Sequence, residues 1–213
     1  MNPAPTGPDT ANNNAPRLLL LRHGQIKANK QGRWHGSTDS PLTWQGRRQA
    51  RRTGQHLSAN ETVHAVYSSP LQRCLNTAHY ASEHLQAEVQ PVDGLQELSI
   101  GEWEGTRFRD LVRQHNFMQR LSDEPDYAAP GGESLNQVAR RVAAALRHIE
   151  AQHAAGETAL VVSHGVSIAI ALSVFLQGSP SAWTEYRIRN CSLTELYLSP
   201  QPYLVGLNED YHL

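Results

Sequence analysis

Polar, Pro and Asn positions fill the first sixteen residues, and then four leucines arrive together. The run Leu18–Leu21 stops abruptly at Arg22-His23-Gly24. A short unbroken apolar run of this kind fits a strand buried on both faces. Val63–Tyr67 and Ala159–Val162 have the same character, and each gives way at once to polar residues, Ser68-Ser69-Pro70 and Ser163-His164-Gly165. Leu193–Leu198 reads as a fourth strand. Between these runs the pattern is helical. Thr43–Leu57 follows Pro41-Leu42 and is rich in Gln and Arg. A second helix is expected from Pro70 to about Leu85, with Pro70 in its first turn and Ser69 as cap. Glu133–Gln152, introduced by Pro130-Gly131-Gly132, places Leu135, Val138, Val142, Leu146 and Ile149 on one stripe. Strands alternating with helices predict an α/β fold, a three-layer sandwich with a mostly parallel sheet and helices on both faces. Gly105–Pro130 breaks the alternation. It is charged and irregular, and is expected to run over the sheet, a common place for a substrate-gating element.

The same pattern sets the domain organisation. Residues 1–16 are expected to form a disordered tail and residues 17–213 one domain, with no repeat or internal linker. The longest apolar stretch, Val166–Leu176, is far too short to span a bilayer, and no basic segment leads into an apolar one at the start of the chain. A cytoplasmic protein is the reading. Composition adds two constraints. Nineteen Lys plus Arg against 20 Asp plus Glu give a formal charge of −1, which disfavours an electrostatically driven nucleic-acid or membrane partner. Two cysteines, Cys74 and Cys191, cannot build a disulfide framework. Eleven histidines are the one excess.

Ligands of open α/β sheets bind outside the carboxyl ends of the strands, and three predicted strands end in groups suited to one task. Arg22 and His23 follow the first, Ser68-Ser69-Pro70 with Arg73 the second, and His164-Gly165 the third. A phosphoryl group is the natural guest. Arginine forks match phosphate oxygens bidentately, a protonated His would add charge, and helix N-termini add N–H donors. A neutral imidazole among cations is also a competent nucleophile toward phosphorus. Its leaving alkoxide needs a proton donor, and Glu97 is the best candidate, with Glu102 and Glu104 as alternatives. Other phosphoryl-transfer chemistries fail on spacing. Tyr80 and Tyr197 stand where a Cys-x5-Arg loop needs Arg, and there is no G-x4-G-K-[ST], H-E-x-x-H or C-x-x-C motif.

Arg22-His23-Gly24, with Asn29 five residues after Gly24, resembles the signature of the histidine phosphatase superfamily, the phosphoglycerate mutase-like enzymes. The likeness continues through Gly36–Thr43, Gly46–Ala50, Ser68–Arg73 with Thr77-Ala78, Leu95–Gly105, Pro130–Ser134, Val162–Gly165 and Asn190-Cys191-Ser192. It spans residue 17 to about 212. The resemblance implies the phosphoglycerate mutase-like fold and hydrolysis of a small phosphorylated metabolite, a phosphomonoester, by the phosphatase branch. In that scheme His23 is the nucleophile that forms a phosphohistidine. Arg22, Arg73 and His164 bind the phosphoryl oxygens, Asn29 adds a side-chain donor, and Gly165 joins them in the binding site. Glu97 protonates the leaving oxygen. No metal or organic cofactor is implied, and oligomeric state is not specified. Two departures stand out. Ile26 replaces a hydroxyl residue near the phosphate pocket, and His35 occupies a place where the family often has Gln, facing the substrate.

Blander readings compete for the rest. Most histidines, such as His56, His79 and His148, sit in no motif and read as surface or core residues. Arg33, Arg107 and Arg109 would touch a charged substrate tail if they are not simply solvated. Trp34 and Trp103 would line a pocket if they do not simply pack. Arg47, Arg48, Arg51 and Arg52 spread over a solvated helix face. The rival functions are a phosphoglycerate mutase on the same fold and a weakly catalytic module that binds phosphorylated ligands. Gly101-Glu102-Trp103-Glu104-Gly105 resembles the phosphatase branch. Within that branch broad-specificity, α-ribazole and glucosyl-3-phosphoglycerate phosphatases differ in rim and lid, here Gly105–Pro130 and His35.

Overall fold

A computed structural model describes residues 15–85 and 87–213. The tail expected over residues 1–16 lies outside the described residues as far as residue 14, whereas Ala15 and Pro16 are buried at the entry to the first strand. Among the described residues six strands form one sheet. They are β1 (Arg17–Arg22), β2 (Ala65–Ser68), β3 (Val89–Pro91), β4 (Thr158–Ser163), β5 (Leu193–Tyr197) and β6 (Tyr203–Glu209), in the order β3-β2-β4-β1-β5-β6. The first four run parallel to their neighbours in this group, and β5 and β6 add an antiparallel edge.

The four leucines of β1 explain the layering. Successive side chains of a strand point to opposite faces, and both faces are covered. Leu18 and Leu20 enter one core with Tyr67 and Val161, and Leu19 and Leu21 enter the other with Val66 and Leu160. The first core is closed by helices α6 (Leu135–Ala151) and α7 (Gly165–Gln177), the second by α2 (Trp44–Asn60) and α3 (Gln72–Ser82). The predicted stripe of α6 is buried throughout, and the helix opens with a capping box in which Ser134 and Gln137 satisfy each other's backbone N–H. The apolar run 166–176 is α7. Among the described residues no helix is long and apolar enough to cross a membrane.

Two expectations change. Helix α3 starts at Gln72, and its cap is not Ser69. The Asp39 carboxylate, from a separate loop, accepts the backbone N–H of Gln72 and, at 3.3 Å, that of Arg73, an anion placed where the helix dipole is positive. Of the backbone N–H groups here, Ser69 Oγ accepts only that of Leu71, at 3.4 Å, ahead of the first turn. The excursion 105–130 is also more regular than its sequence suggests. It forms α4 (Phe108–His115) and α5 (Phe117–Asp123), anchored by Leu111, Phe117 and Leu121, all fully buried in the first core. The remaining short helix, α1 (Lys27–Gln31), follows β1 directly.

Candidate active site

Register brings the strand ends together. Arg22 pairs with Ser163 and Ser68 with Val162, so His23, Ser69 and His164 leave the sheet at one rim. A cavity of about 440 Å³ opens there. Its inner end is formed by Arg22, His23, Asn29, Glu97, Gly165 and Asn190.

His23 is buried, with 3% of its surface exposed. Its Nδ1 lies 2.8 Å from the Gly24 carbonyl, which can only accept, so Nδ1 carries the proton and Nε2 keeps a lone pair. Burial first, then Arg22 and Arg73, hold its pKa well below the ordinary imidazole value. The ring is therefore neutral at physiological pH. Asn190 fixes the loop around it by donating to the His23 carbonyl at 2.9 Å and to Asn29 Oδ1 at 3.2 Å. Asn29 Oδ1 also accepts the Ile26 N–H, which leaves the Asn29 amide NH₂ as a donor. Ile26 itself is buried against Ala28 and Leu42.

Arg22 donates through Nη1 to the Ile188 carbonyl at 2.6 Å, while its Nε is buried without an acceptor. An unpaired buried donor is costly, and an oxyanion would relieve it. Gly165 lies directly against this guanidinium. A Cβ there would stand 3.1 Å from Arg22 Nε, so glycine permits the close approach of the α7 N-terminus. Glu97 is held at the same terminus. Its Oε1 accepts from Ser167 N at 2.9 Å and Ser167 Oγ at 3.0 Å, and its Oε2 accepts from Val166 N at 3.1 Å. The backbone behind it is fixed by Arg141, which donates to the carbonyls of Gly94, Gln96 and Glu97 and is itself clamped by Glu133.

Arg73 and His164 stand behind His23 rather than in the cavity lining. Both are fully buried. Arg73 donates to His164 Nδ1 at 3.1 Å, to the Gly36 carbonyl at 2.6 Å and to the Thr38 carbonyl at 2.9 Å. His164 Nδ1 is thus an acceptor, its Nε2 carries the proton, and Ser69 Oγ lies 2.8 Å from that nitrogen. The rings of His23 and His164 meet edge to face at 5.3 Å. Burial, then Arg73 and His23, push the His164 pKa well below its usual value. The protonated histidine expected as an extra cation is accordingly neutral. Cys74 Sγ lies 3.3 Å from His164 Nε2, and burial pushes its thiol up, away from thiolate chemistry.

Glu104 is committed elsewhere. Its carboxylate accepts backbone N–H bonds from Gly36, Ser37, Thr38 and Ile100, and neither it nor Glu102 lines the cavity. Of the carboxylates weighed as proton donor, Glu97 alone faces it. The outer cavity has aromatic walls, Trp34, Phe108, Trp183 and Tyr186, and His35, Arg33 and Arg187 also border it. Burial lowers the His35 pKa, opposed by Glu104. Trp103, Arg107 and Arg109 do not reach the cavity, and the excursion 105–130 contributes only Phe108. Sequence reasoning missed Trp183, Tyr186 and Arg187. They lie in the segment just ahead of the Asn190-Cys191-Ser192 motif, which carries no pattern of its own that marks them. Among the described residues no group of three His, Cys, Asp or Glu side chains is placed to hold a metal ion.

Known proteins resemble this chain over most of its length. A profile of the histidine phosphatase superfamily (branch 1) matches residues 18–210. A bifunctional protein of Mycobacterium tuberculosis is 35% identical over 186 residues, which is 85% of this chain and 50% of the relative; the chain thus spans about half the length of that relative. A probable phosphoglycerate mutase, GpmB, of Klebsiella pneumoniae is 31% identical over 89% of this chain and 88% of its own. Among solved structures, the phosphoserine phosphatase of Entamoeba histolytica in complex with 3-phosphoglyceric acid superposes with a TM-score of 0.83, at 30% identity, covering 93% of this chain and 99% of that one.

Proposed function

The chain belongs to the histidine phosphatase superfamily, and on that premise we propose that it hydrolyses a phosphomonoester through a phosphohistidine on His23. The observation that carries this reading is the tautomer of His23. A neutral ring, protonated on Nδ1, presents the Nε2 lone pair at the inner end of a cationic cavity. In the first step Nε2 forms a bond to phosphorus as the bond to the leaving oxygen breaks, and Glu97 gives that oxygen a proton. In the second step water attacks phosphorus, the P–N bond breaks with its electrons returning to Nε2, and Glu97 takes the proton of the water. The products are an alcohol and inorganic phosphate.

Arg22, the Asn29 amide and the N-terminus of α7 at Gly165 hold the phosphoryl oxygens and stabilise the charge that shifts during transfer. Arg73 and His164 complete this site from behind His23, Arg73 by its charge and His164 by its ring edge. A second reading has support in the name of the Klebsiella relative, a probable phosphoglycerate mutase. There the phosphohistidine would return its phosphoryl group to a sugar acid. One assay separates the two. Stoichiometric phosphate release from phosphomonoesters, lost in His23→Ala while the circular dichroism spectrum is unchanged, supports the hydrolase. Interconversion of 2- and 3-phosphoglycerate without net phosphate release overturns it.

A further inference from the structure

We propose that Glu104 is a positioning residue for the active site: through two peptide units of the loop 35–38, its carboxylate sets where the Arg73 guanidinium stands beside His164 and His23. The proposal rests on the phosphomonoesterase reading of the inner site, to which it adds a residue outside the cavity.

Arg73 is fully buried, and a buried guanidinium is costly unless its charge and its donors are met. Among the described residues its one ion pair is with Asp39, at 3.4 Å. That carboxylate is shared, because it also accepts the N–H groups of Ser40, Gln72 and Arg73. Carbonyls meet the other donors. Nη2 donates to Gly36 at 2.6 Å and reaches His35 at 3.4 Å, and Nη1 donates to Thr38 at 2.9 Å. Glu104 holds the opposite ends of two of these peptide groups. The peptide joining His35 to Gly36 gives its N–H to Glu104 Oε2 at 2.8 Å, and the one joining Gly36 to Ser37 gives its N–H to Oε1 at 3.2 Å. Two successive peptide units therefore each donate to Glu104 and accept from Arg73. An anion at their N–H ends and a cation at their carbonyl ends polarise both units in the same sense.

The chain on either side fixes that contact. Gly105 N–H donates to the Trp34 carbonyl at 2.8 Å, and Trp34 N–H donates to the Thr106 carbonyl at 2.9 Å, so Glu104 is pinned beside the loop. Gly36 lets the loop close. A Cβ there would collide with the Leu98 carbonyl and stand 2.6 Å from Glu104 Oε1. The same carboxylate accepts the Ile100 N–H at 3.1 Å, three residues beyond Glu97. One group thus ties the loop under Arg73 to the segment that carries the proton donor. Arg73 passes its placement on. Its Nε–H donates to His164 Nδ1 at 3.1 Å, and after burial its charge helps to hold the pKa values of His164 and His23 down.

The test is a double-mutant cycle in the full chain, with p-nitrophenyl phosphate as substrate. Glu104→Gln should lower kcat about ten- to a hundredfold and change KM less than about threefold. Glu104→Asp, which keeps the charge, should recover part of the loss. Because Glu104 acts through Arg73, the pair Glu104→Gln with Arg73→Gln should match Arg73→Gln alone to within about threefold. Losses that multiply overturn the proposal. The pH profile adds a sign. An Arg73 that drifts from His23 moves the acid limb of kcat/KM up, toward 6.5, whereas the mere loss of a negative charge moves it down. A limb lowered or unmoved in Glu104→Gln overturns the proposal. NMR makes the answer independent of turnover. The Arg73 Nε–H signal, identified by its absence in Arg73→Gln, should exchange with solvent at least about tenfold faster in Glu104→Gln than in the wild type or in Glu102→Gln. The amides of Leu20 and Val161 in the sheet should keep their rates. Unchanged Nε–H exchange overturns the proposal, and so does equal acceleration of the sheet amides, which would mean general loosening. Faster Nε–H exchange alone sustains it even if no ester is hydrolysed, an outcome that would defeat only the phosphatase reading.

Discussion

A histidine buried beside two guanidiniums is neutral where an ordinary imidazole is half charged, and the chemistry of this site starts from that fact. Because the His23 pKa lies well below 6.5, the nucleophile stays competent as the solution is acidified. The acid limb of kcat/KM is predicted to fall below pH 6.5, and a limb at or above that value would mean that the histidine titrates as if solvated. Glu97 makes a separate prediction. Glu97→Gln should lower kcat/KM, which reports the first transfer onto His23, for an alkyl phosphate by about 10²–10⁴-fold. Aryl phosphates, whose leaving oxygen needs little protonation, should lose much less; equal loss for both would remove the acid role. Arg22, His23, Arg73, Glu97 and His164 could be read in sequence because each sits in a motif. Arg187 could not, because an arginine in an irregular segment looks the same whether it faces a cavity or water.

Elements, rather than single residues, set the precision of the site. The ends of β1, β2 and β4 are flush, Asp39 caps α3 at Arg73, and the N-terminus of α7 holds the Glu97 carboxylate. Helix α6 contributes Arg141, which binds the carbonyls of Gly94, Gln96 and Glu97 in the segment that carries the acid. Arg141→Gln is predicted to lower kcat about ten- to a hundredfold with little change in KM. Arg141→Lys should recover part of the loss, and KM rising while kcat holds would contradict the positioning role. Four strands were legible as short apolar runs that end abruptly in polar residues, and three helices from turn residues ahead of them and, in α6, from an apolar stripe. The sheet edges were not. Strand β3 spans only Val89–Pro91 and is half exposed, and β6 is interrupted by Gly206 and Asn208, so neither presents a sustained alternation. The cap of α3 was illegible for another reason: Asp39 is remote in sequence, and Ser69 is taken by His164.

At the scale of the whole molecule, a chain of formal charge −1 concentrates arginine at one rim, so net charge predicted little about its ligand. The same concentration shapes stability. His23 and His164 are both fully buried with pKa values well below 6.5, so below that pH the unfolded chain binds protons that the folded chain refuses. The stabilising contribution is present above pH 6.5 and is lost as pH falls toward the lowered native values, by about 1.4 kcal/mol per pH unit for each group. Urea unfolding at pH 6.5 and 5.5 should show this loss, reduced in His164→Asn; the same slope in that variant would contradict it. The central claim, a covalent phosphohistidine, is tested most directly by the stereochemical course at phosphorus with a chiral, isotopically labelled phosphomonoester and an acceptor alcohol. Two successive in-line displacements, onto His23 and off it, predict retention of configuration. Inversion would mean direct attack by the acceptor in a single step and would contradict the account.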